Sequence, residues 1–438
     1  MARRGSEPFP VSAASEEARR LDAADALAGF REEFVFPERI DGRSPVYLCG
    51  NSLGLMPRRA ADAVRAELDA WGRLAVRGHV EGEHPWLPAH RRAAEPLAAL
   101  VGGTAAETVA MNTLTVNLHL LMASFYRPEG ERRCIVIESD AFPSDRYAAV
   151  SQIAWHGHDP ERDLLEWQPP DGEHSLRTDD LAALLERRGH EIALLLLPGV
   201  QYYTGQCLDM AEICRLARRY GVTVGLDLAH AIGNVPLSLH DWGADFAVWC
   251  SYKYLNGGPG AIAGAWVHER HCRDRSLPRL LGWWGHEEST RFRMTKDFTP
   301  APGADIWQLS NPPVFALAPV IASLDLFAAA GIGALREKSL ALTGYLRRRI
   351  GERFPGGFGV LTPEDPPDHG AQLSLVVRGM GLTGRDLFEN LERLNVIADW
   401  REPDVIRVAP VPLYNSYADV EAFLERLAEA AAMTQTLA

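Results

Sequence analysis

The middle of the chain alternates short apolar runs with longer segments of helical periodicity. MAEICRLARRYG (210–221) repeats its apolar residues at the spacing of an amphipathic helix and closes on a glycine. The apolar runs around it predict buried strands: RCIVIES (133–139), EIALLLLPGV (191–200), VTVGLDLAH (222–230) and ADFAVWCSYKYL (244–255). Strands that alternate with helices in this way indicate a parallel or mixed sheet covered by helices on both faces. Ligands usually bind such a sheet at the carboxyl ends of its strands.

Glycines interrupt the apolar pattern near the amino terminus, in YLCGNSLGLMP (47–57). A core strand does not need Gly50, Asn51, Ser52 and Gly54 so close together, so the segment predicts a turn. That turn either caps the following helix, predicted in RRAADAVRAELDAWGRL (58–74), or approaches a ligand.

The pattern changes in the last third of the chain. A long apolar helix is predicted in SNPPVFALAPVIASLDLFAAAGIGAL (310–335), a strand in AQLSLVVRGM (371–380) and a closing helix in DVEAFLERLAEAAA (419–432). The prolines between 312 and 319 mark a break in structure. We therefore predict three parts: an N-terminal segment (1–60), a large domain (61–315) and a smaller α+β domain (316–438).

Composition narrows the classes of function. The chain has 438 residues, of which 47% are hydrophobic, and a formal net charge of -13, which argues against a nucleic-acid-binding protein. The first twenty residues lack the apolar core of a secretory signal, and the run from Ile192 is too short to span a bilayer. The 6 cysteines form no Cys-x-x-Cys pair, which is typical of free thiols in a reducing compartment. We therefore predict a cytoplasmic protein that acts on small molecules.

Three residues able to carry chemistry lie at or just past predicted strand ends. Asp227 ends one strand, His230 follows it closely, and Lys253 follows the next strand beside a glycine-rich turn. A lysine in such a place can form a Schiff base with an aldehyde, and a nearby acid can hold a protonated ring nitrogen. Pyridoxal phosphate chemistry requires this pairing. From spacing alone, a solvated lysine and a turn-forming aspartate remain an open alternative.

The segment DLAHAIGNVPLSLHDWGADFAVWCSYKYLN (227–256) resembles the cofactor-lysine region of the kynureninase family. Further segments resemble that family in the same order: YLCGNSLGLMP (47–57), MNTLTVNLHLLM (111–122), AFPSDRYA (141–148), LGWWGHEESTRF (281–292), SNPP (310–313) and IRVAPVPLYNS (406–416). The resemblance implies a fold-type-I α/β fold, related to class V aminotransferases and cysteine desulfurases. Its large domain would hold pyridoxal 5'-phosphate beside a mostly parallel sheet of the seven-stranded type, and the N-terminal segment would pack on the small domain and the active site.

The resemblance implies an activity and roles for individual residues. The activity would be hydrolysis of L-kynurenine or 3-hydroxy-L-kynurenine to an anthranilate and L-alanine. Lys253 would bind the cofactor and move protons, Asp227 would face its ring nitrogen, and Tyr252 would contact its phosphate and serve as a proton donor. The other implied cofactor contacts are Leu114, Thr115, Phe142, Ser144, Asp145, His230, Trp283 and Asn311. Trp283 and Asn311 would reach the cofactor of a partner subunit, which implies a homodimer with shared active sites.

The implied substrate contacts are Asn51, Ser52, His79, Ser310, Asn311 and Arg407. Arg407 would bind the substrate α-carboxylate, because a guanidinium matches a carboxylate with two parallel hydrogen bonds. His79 with Ser310 and Asn311 resembles family members that favour the 3-hydroxy substrate, since such side chains can hydrogen-bond a ring hydroxyl. Tryptophan breakdown, NAD biosynthesis and a specialised pathway with a substituted kynurenine all remain open as context.

Several further features of the sequence bear on alternative functions. Pro198 stands where the family can place a serine, so one hydroxyl contact near the cofactor is in doubt. Another fold-type-I activity is the main rival, although a desulfurase needs a reactive cysteine on a mobile loop, and none of the cysteines lies in an obviously exposed polar loop. A non-catalytic binding protein would be expected to lack Lys253, Asp227 or Arg407.

HERHC (268–272) has metal-like spacing without a further ligand cluster, so a helix start is favoured and no metal site is predicted.

Overall fold

The computed structural model describes residues 15–378 and 381–437. Its α-helices are α1 Glu16–Ala23, α2 Arg58–Leu74, α3 Arg91–Val101, α4 Leu114–Phe125, α5 Pro143–Trp155, α6 Pro160–Asp163, α7 Thr178–Arg188, α8 Met210–Arg219, α9 Leu239–Trp242, α10 Glu269–Arg273, α11 Glu288–Arg291, α12 Val314–Ala330, α13 Ile332–Arg353, α14 Gly384–Arg393 and α15 Tyr417–Leu437. Its strands are β1 Phe34–Val35, β2 Val46–Tyr47, β3 Met56–Pro57, β4 Thr108–Ala110, β5 Cys134–Glu138, β6 Leu164–Trp167, β7 Ile192–Pro198, β8 Thr223–Asp227, β9 Phe246–Trp249, β10 Gly264–Val267, β11 Phe358–Val360, β12 Leu373–Val377, β13 Val396–Ile397, β14 Asp399–Arg401 and β15 Val405–Val408.

A seven-stranded sheet forms the centre of the fold, in the order β4-β10-β9-β8-β7-β5-β6. The strands from β9 to β6 run parallel, whereas β10 is antiparallel to both of its neighbours. β5 and β7 are buried along their whole length. Helices cover both faces of such a parallel sheet, which explains why these strands are continuous apolar runs in the sequence. The strands predicted from those runs are confirmed.

The carboxyl ends of β5, β7 and β8 meet at one edge of this sheet. Glu138 ends β5, and Pro198 at the end of β7 is paired with Asp227 at the end of β8. His230 and Lys253 come shortly after β8 and β9. Asp227, His230 and Lys253, which the sequence singled out as able to carry chemistry, therefore lie at the edge where ligands bind in α/β folds.

A second, four-stranded sheet has the order β11-β12-β15-β14, and its strand pairs are antiparallel. Residues of α13, α14 and α15 pack with it in one hydrophobic cluster, which includes Leu342, Leu375, Leu391 and Phe423. The N-terminal part of the chain joins this region, because β2 pairs in parallel with β13. The residues that lead into the NSLG turn (51–54) are thereby fixed beside the second sheet.

The apolar segment at 310–335 differs from the single long helix that its pattern predicts. It forms two helices, α12 and α13, whose axes are bent by 82°. Gly331 joins them with φ 75, a left-handed conformation that glycine adopts without steric cost. Pro319 lies inside α12, so the predicted break across 312–319 is wrong at that residue. Pro312 and Pro313 come directly before the first helical residue, where a missing N–H costs little.

Within residues 15–378 and 381–437, no single helix is long and apolar enough to cross a bilayer. Helices α12 and α13 meet the length and composition requirement only together, as a bent pair.

Candidate active site

A cavity with about 520 Å³ of empty space lies at the carboxyl edge of the large sheet. It brings together nine of the residues that the sequence implied for the cofactor: Leu114, Thr115, Phe142, Ser144, Asp145, Asp227, His230, Tyr252 and Lys253. The remaining lining residues are Glu138, Pro198, Val200, Tyr202 and Ala229. Residues from distant parts of the chain meet here because consecutive parallel strands end side by side.

Lys253 and His230 are in direct contact in this cavity. Lys253 Nζ lies 3.0 Å from His230 Nε2. Burial lowers the pKa of His230 well below its usual value, and the charge of Lys253 lowers it further. A neutral His230 that accepts at Nε2 carries its proton on Nδ1, which is buried without a hydrogen-bond partner among the described residues. An unsatisfied donor of this kind costs about 1–3 kcal/mol until a further group accepts from it.

Asp227 and Asp145 form a pair of buried carboxyl groups. The N–H of Ala229 donates to Asp227 Oδ1 at 2.6 Å. Burial and the neighbouring Asp227 carboxylate raise the pKa of Asp145 well above its usual value. Burial also raises the pKa of Asp227, but the Ala229 N–H and Lys253 both favour its charged form. Asp145 therefore holds a proton, and Asp227 is the anion that can face a protonated ring nitrogen.

Glu138 lines the same cavity and was missed by the sequence interpretation. It is 4% exposed at the end of β5, and burial raises the pKa of Glu138 to about 8, with Asp227 and Asp140 adding to the effect. The sequence carried a signal for Glu138, because this residue ends an apolar run in the same way that Asp227 ends β8, which lies two strands away in the sheet.

Replacing Glu138 by glutamine is expected to stabilise the cofactor-free protein at higher pH. Between the ordinary carboxyl pKa of 4.5 and the folded value of about 8, the unfolded chain releases a proton that the folded protein retains. Wild-type stability therefore falls as pH rises through this window, whereas glutamine does not titrate. The Tm advantage of Glu138→Gln should grow to several degrees between about pH 5 and about pH 8. Glu131→Gln, on an exposed loop, is the control, and a pH-independent advantage of Glu138→Gln would contradict the assignment.

The amino terminus of α4 forms an anion-binding end of the cavity. The helix begins at Leu114, and the N–H groups of a first helical turn have no carbonyl of their own helix to donate to. Thr115 Oγ1 lies 2.9 Å from Ser144 Oγ, so two hydroxyl groups stand beside these N–H groups. Together they suit a phosphate group.

Phe142 and Tyr252 add aromatic groups to the cavity. The centre of the Phe142 ring lies 5.7 Å from Lys253 Nζ, and this side chain is 41% exposed, so its face is available for stacking. Burial raises the pKa of Tyr252, with Cys250 adding to the effect, so its hydroxyl keeps its proton at neutral pH.

Arg407 and Asn51 approach the cavity through Tyr202. Arg407 is 1% exposed and donates from Nη1 to the carbonyl of Tyr202 at 2.6 Å. Asn51 is fully buried and donates to Gln372, whose amide in turn donates to the same carbonyl at 3.0 Å. Tyr202 itself lines the cavity. The structure therefore places Arg407 and Asn51 next to the lysine cavity without making them part of its lining.

The NSLG turn packs directly on the backbone around Lys253. The N–H of Gly54 donates to the carbonyl of Tyr252 at 2.8 Å. A Cβ added at Gly54 would lie 2.4 Å from the carbonyl oxygen of Lys253, so only glycine permits this approach. Ser52 is partly exposed, and its N–H closes the turn onto Cys49. The turn thus supports the lysine, in addition to starting the helix that follows.

Besides Asn51, Ser52 and Arg407, four more of the residues implied for the site lie outside the lining of the lysine cavity of their own chain. Ser310 and Asn311 are exposed, Trp283 is 49% exposed, and His79 packs edge-on against Trp86 with ring centres 5.3 Å apart. Asn311 lines a separate cavity together with Trp86. These residues cannot complete the site of the same chain in this conformation.

The HERHC segment (268–272) belongs to a hydrogen-bonded cluster around Glu107. The carboxylate of Glu107 accepts from the N–H groups of Glu269 and Thr104, each at 2.9 Å, and lies 2.9 Å from His240 Nδ1. His268 Nδ1 stands 3.7 Å from the same carboxylate and caps α10. This cluster lies at the edge of the large sheet opposite the lysine cavity.

Comparison with known proteins decides the family. A kynureninase of Xanthomonas campestris pv. campestris is 55% identical over 410 residues, which are 94% of this chain and 96% of the relative. A kynureninase of Myxococcus xanthus is 52% identical over 421 residues, which are 96% of this chain and 98% of the relative. The chain belongs to the kynureninase family. The profile of the kynureninase C-terminal domain also matches residues 335–427.

Membership among the kynureninases confirms several predictions made from the sequence. The protein is a pyridoxal phosphate-dependent hydrolase that acts on carbon–carbon bonds, and the desulfurase and aminotransferase alternatives lose their basis. Solved structures agree with the predicted fold. The cystine C-S lyase C-DES has a TM-score of 0.72 at 18% identity and covers 88% of this chain and 97% of its own. The cysteine desulfurase CsdA of Escherichia coli also has a TM-score of 0.72 at 18% identity, covering 94% and 98%.

The residues of the cavity fit the cofactor of the kynureninases. An anionic Asp227, a lysine and a free helix terminus suit the ring nitrogen, the aldehyde and the phosphate of pyridoxal phosphate. His230 Nδ1 and Asp145 Oδ1 are both buried without partners in the described part of the chain, as expected where a polar ligand completes the site. Pro198 lines the cavity beside Asp227, so this position offers no hydroxyl.

Proposed function

We propose that the protein hydrolyses the bond between the β- and γ-carbons of L-kynurenine or 3-hydroxy-L-kynurenine. Water adds oxygen to the γ-carbonyl carbon, and the β-carbon receives a proton. The products are anthranilate or 3-hydroxyanthranilate together with L-alanine. The observation that carries this proposal is the contact of Lys253 with His230 in a cavity that also holds Asp227.

Proton transfers are assigned to residues of that cavity. Pyridoxal phosphate, when bound, would accept electron density from the substrate α-carbon. Lys253 Nζ would remove the α-proton, with His230 holding the amine in place. Asp227 would accept a hydrogen bond from the ring nitrogen. Tyr252 would supply a proton late in the reaction, which its raised pKa supports.

The amino-acid end of the substrate is assigned to the region around Tyr202. Arg407 would bind the α-carboxylate, because its guanidinium is buried beside the cavity and its Nε lacks a partner in the described ranges. Asn51 and Ser52 would lie at the same end of the substrate. The hydrogen-bonded path from Asn51 through Gln372 to Tyr202 supports this placement.

A homodimer would complete each site. His79, Trp283, Ser310 and Asn311 lie outside the lysine cavity of their own chain, so we assign them to the active site of a second copy. Exposed aromatic side chains near them support an interface, because Trp71 is 57% and Phe315 43% exposed. A protein that stays monomeric at assay concentrations while fully active would contradict this arrangement.

The 3-hydroxy substrate is expected to be preferred, because His79 can hydrogen-bond a ring hydroxyl. His79→Leu should lower kcat/KM for 3-hydroxykynurenine by about tenfold or more and leave kynurenine almost unaffected. His84→Leu, at a nearby exposed histidine, is the control. If wild-type protein prefers kynurenine, or if both substrates suffer equally in His79→Leu, the assignment fails.

We also propose the division into 1–60, 61–315 and 316–438, and a cytoplasmic location. The large sheet falls within the second range and the four-stranded sheet within the third, which supports the division. Of the first range, residues 1–14 lie outside the described part of the chain.

Turnover by the purified holoenzyme tests the proposed function. The protein would be loaded with pyridoxal phosphate and given each substrate. Alanine and the anthranilate or 3-hydroxyanthranilate product would then be quantified. Equal amounts of both products are expected. No turnover of either substrate by protein with bound cofactor would overturn the proposal, and turnover of ring-substituted analogues alone would move it to a specialised substrate.

A further inference from the structure

Asp399 lies directly opposite Arg407 in the β14–β15 ladder. One of its carboxylate oxygens contacts Nη2 of Arg407, and the other lies 2.7 Å from Nη1 of Arg401. Asp399 is 7% exposed and Arg407 is 1% exposed, whereas the Arg401 side chain is 34% exposed. The buried carboxylate of Asp399 thus contacts two guanidinium groups, the buried one of Arg407 and the partly exposed one of Arg401.

The charges of this group do not cancel. Two arginines and one aspartate leave a formal charge of +1 beside the lysine cavity. Arg407 uses Nη1 for the Tyr202 carbonyl and Nη2 for Asp399, while its Nε is buried and unpartnered within the described residues. A guanidinium has five N–H donors, so several of them remain for one further acceptor.

We propose that Asp399 is a positioning residue for substrate recognition, which fixes the guanidinium group of Arg407 for the substrate carboxylate. The inference rests on the proposed function, in which Arg407 binds the substrate α-carboxylate. Asp399 itself does not touch the substrate. Arg401 holds the second oxygen of Asp399 and so keeps the carboxylate turned toward Arg407.

A purely structural role for Asp399 makes a different prediction. A structural ion pair would, when broken, weaken cofactor binding and the affinity for all ligands alike. A positioning role confines the loss to ligands that carry the α-carboxylate, because only they use the guanidinium group of Arg407. Kynurenine and its α-carboxamide analogue separate the two roles, since the analogue has the same aromatic end and no carboxylate.

The test compares holoenzyme variants of Asp399 with the wild type. The two arginines contact different oxygens of Asp399. In Asp399→Asn one of these oxygens is replaced by an NH₂ group, which cannot accept from the arginine that it faces. We expect KM for kynurenine to rise about tenfold, kcat to stay within about threefold, and the affinity for the carboxamide analogue to be unchanged. Asp404→Asn, exposed in the same hairpin, is the control.

Removal of a negative charge alone would strengthen carboxylate binding, so an unchanged or lower KM in Asp399→Asn would overturn the inference. An equal loss of affinity for the carboxamide analogue would overturn it as well. Arg401→Gln provides a second variant at a partly exposed position, should Asp399→Asn fail to fold. Arg401→Gln removes the contact with one oxygen of Asp399 and also removes the formal charge of +1, so KM for kynurenine should rise about threefold or more. An unchanged KM would again contradict the proposal.

Arg407→Lys distinguishes this inference from the proposed function. If Arg407→Lys leaves KM for kynurenine unchanged, Arg407 does not bind the α-carboxylate. The part of the proposed function that assigns the α-carboxylate to Arg407 then fails. If Arg407→Lys raises KM while Asp399→Asn and Arg401→Gln do not, only the positioning role of Asp399 is wrong.

Discussion

Lys253→Ala is expected to lower kcat by at least about 10³-fold, because under the proposed function the variant loses both the covalent attachment of the cofactor and the base at the α-carbon. The absorbance band of the lysine-linked cofactor should disappear, while free cofactor can still occupy the cavity through Asp227 and the α4 terminus. His230 would lose its partner at 3.0 Å, and its pKa should rise toward the usual value as the lysine charge is removed. Stopped-flow absorbance and steady-state turnover measure the first two effects.

Lys296→Ala is the matched control, because this lysine is exposed and lies outside the cavity. It should keep both the absorbance band and wild-type turnover. A Lys253→Ala protein that retained the lysine-linked band, or turned over at more than a few per cent of the wild-type rate, would show that another amine carries the chemistry.

Arg407→Lys is expected to raise KM for kynurenine about tenfold to a hundredfold. Lysine keeps the positive charge but replaces a planar fork with a single ammonium, so one of two parallel hydrogen bonds to the carboxylate is lost. The contact with Asp399 and the donation to Tyr202 would also be disturbed. Because the α-carboxylate does not change in the reaction, kcat should fall much less than kcat/KM.

Steady-state kinetics with kynurenine and with its α-carboxamide analogue check this expectation. Arg385→Lys, on the exposed face of α14, is the control and should behave as the wild type. Equal losses with both ligands would mean that Arg407 supports the fold of the small sheet and does not recognise the carboxylate.

The sequence was sufficient to predict the four strands β5, β7, β8 and β9 of the large sheet and most of the chemically active residues at their carboxyl ends, although Glu138 was missed. Buried parallel strands are continuous apolar runs, so their ends are visible, and Asp227 and Lys253 stand at such ends. The helix at 58–74 was equally clear from its periodicity. The family resemblance added Leu114, Thr115 and Ser144, whose local pattern is only that of a helix start and a turn.

Contacts between distant segments could not be predicted in the same way. Gln372 donates a hydrogen bond to the carbonyl of Tyr202, and Asp399 forms an ion pair with Arg407. Neither contact leaves a periodic pattern in the sequence. Pro319 inside α12 also misled the interpretation, because burial of that helix outweighs the loss of one backbone hydrogen bond.

Hydrolysis in water enriched in oxygen-18 tests the central claim most directly. If residues at this sheet edge direct water to the γ-carbonyl of kynurenine, the label must enter the carboxylate of the anthranilate product. Alanine should form in equal amount, with a solvent-derived hydrogen at its β-carbon. Release of a keto acid in place of alanine, or an anthranilate without the label at early times, would contradict hydrolytic cleavage between the β- and γ-carbons.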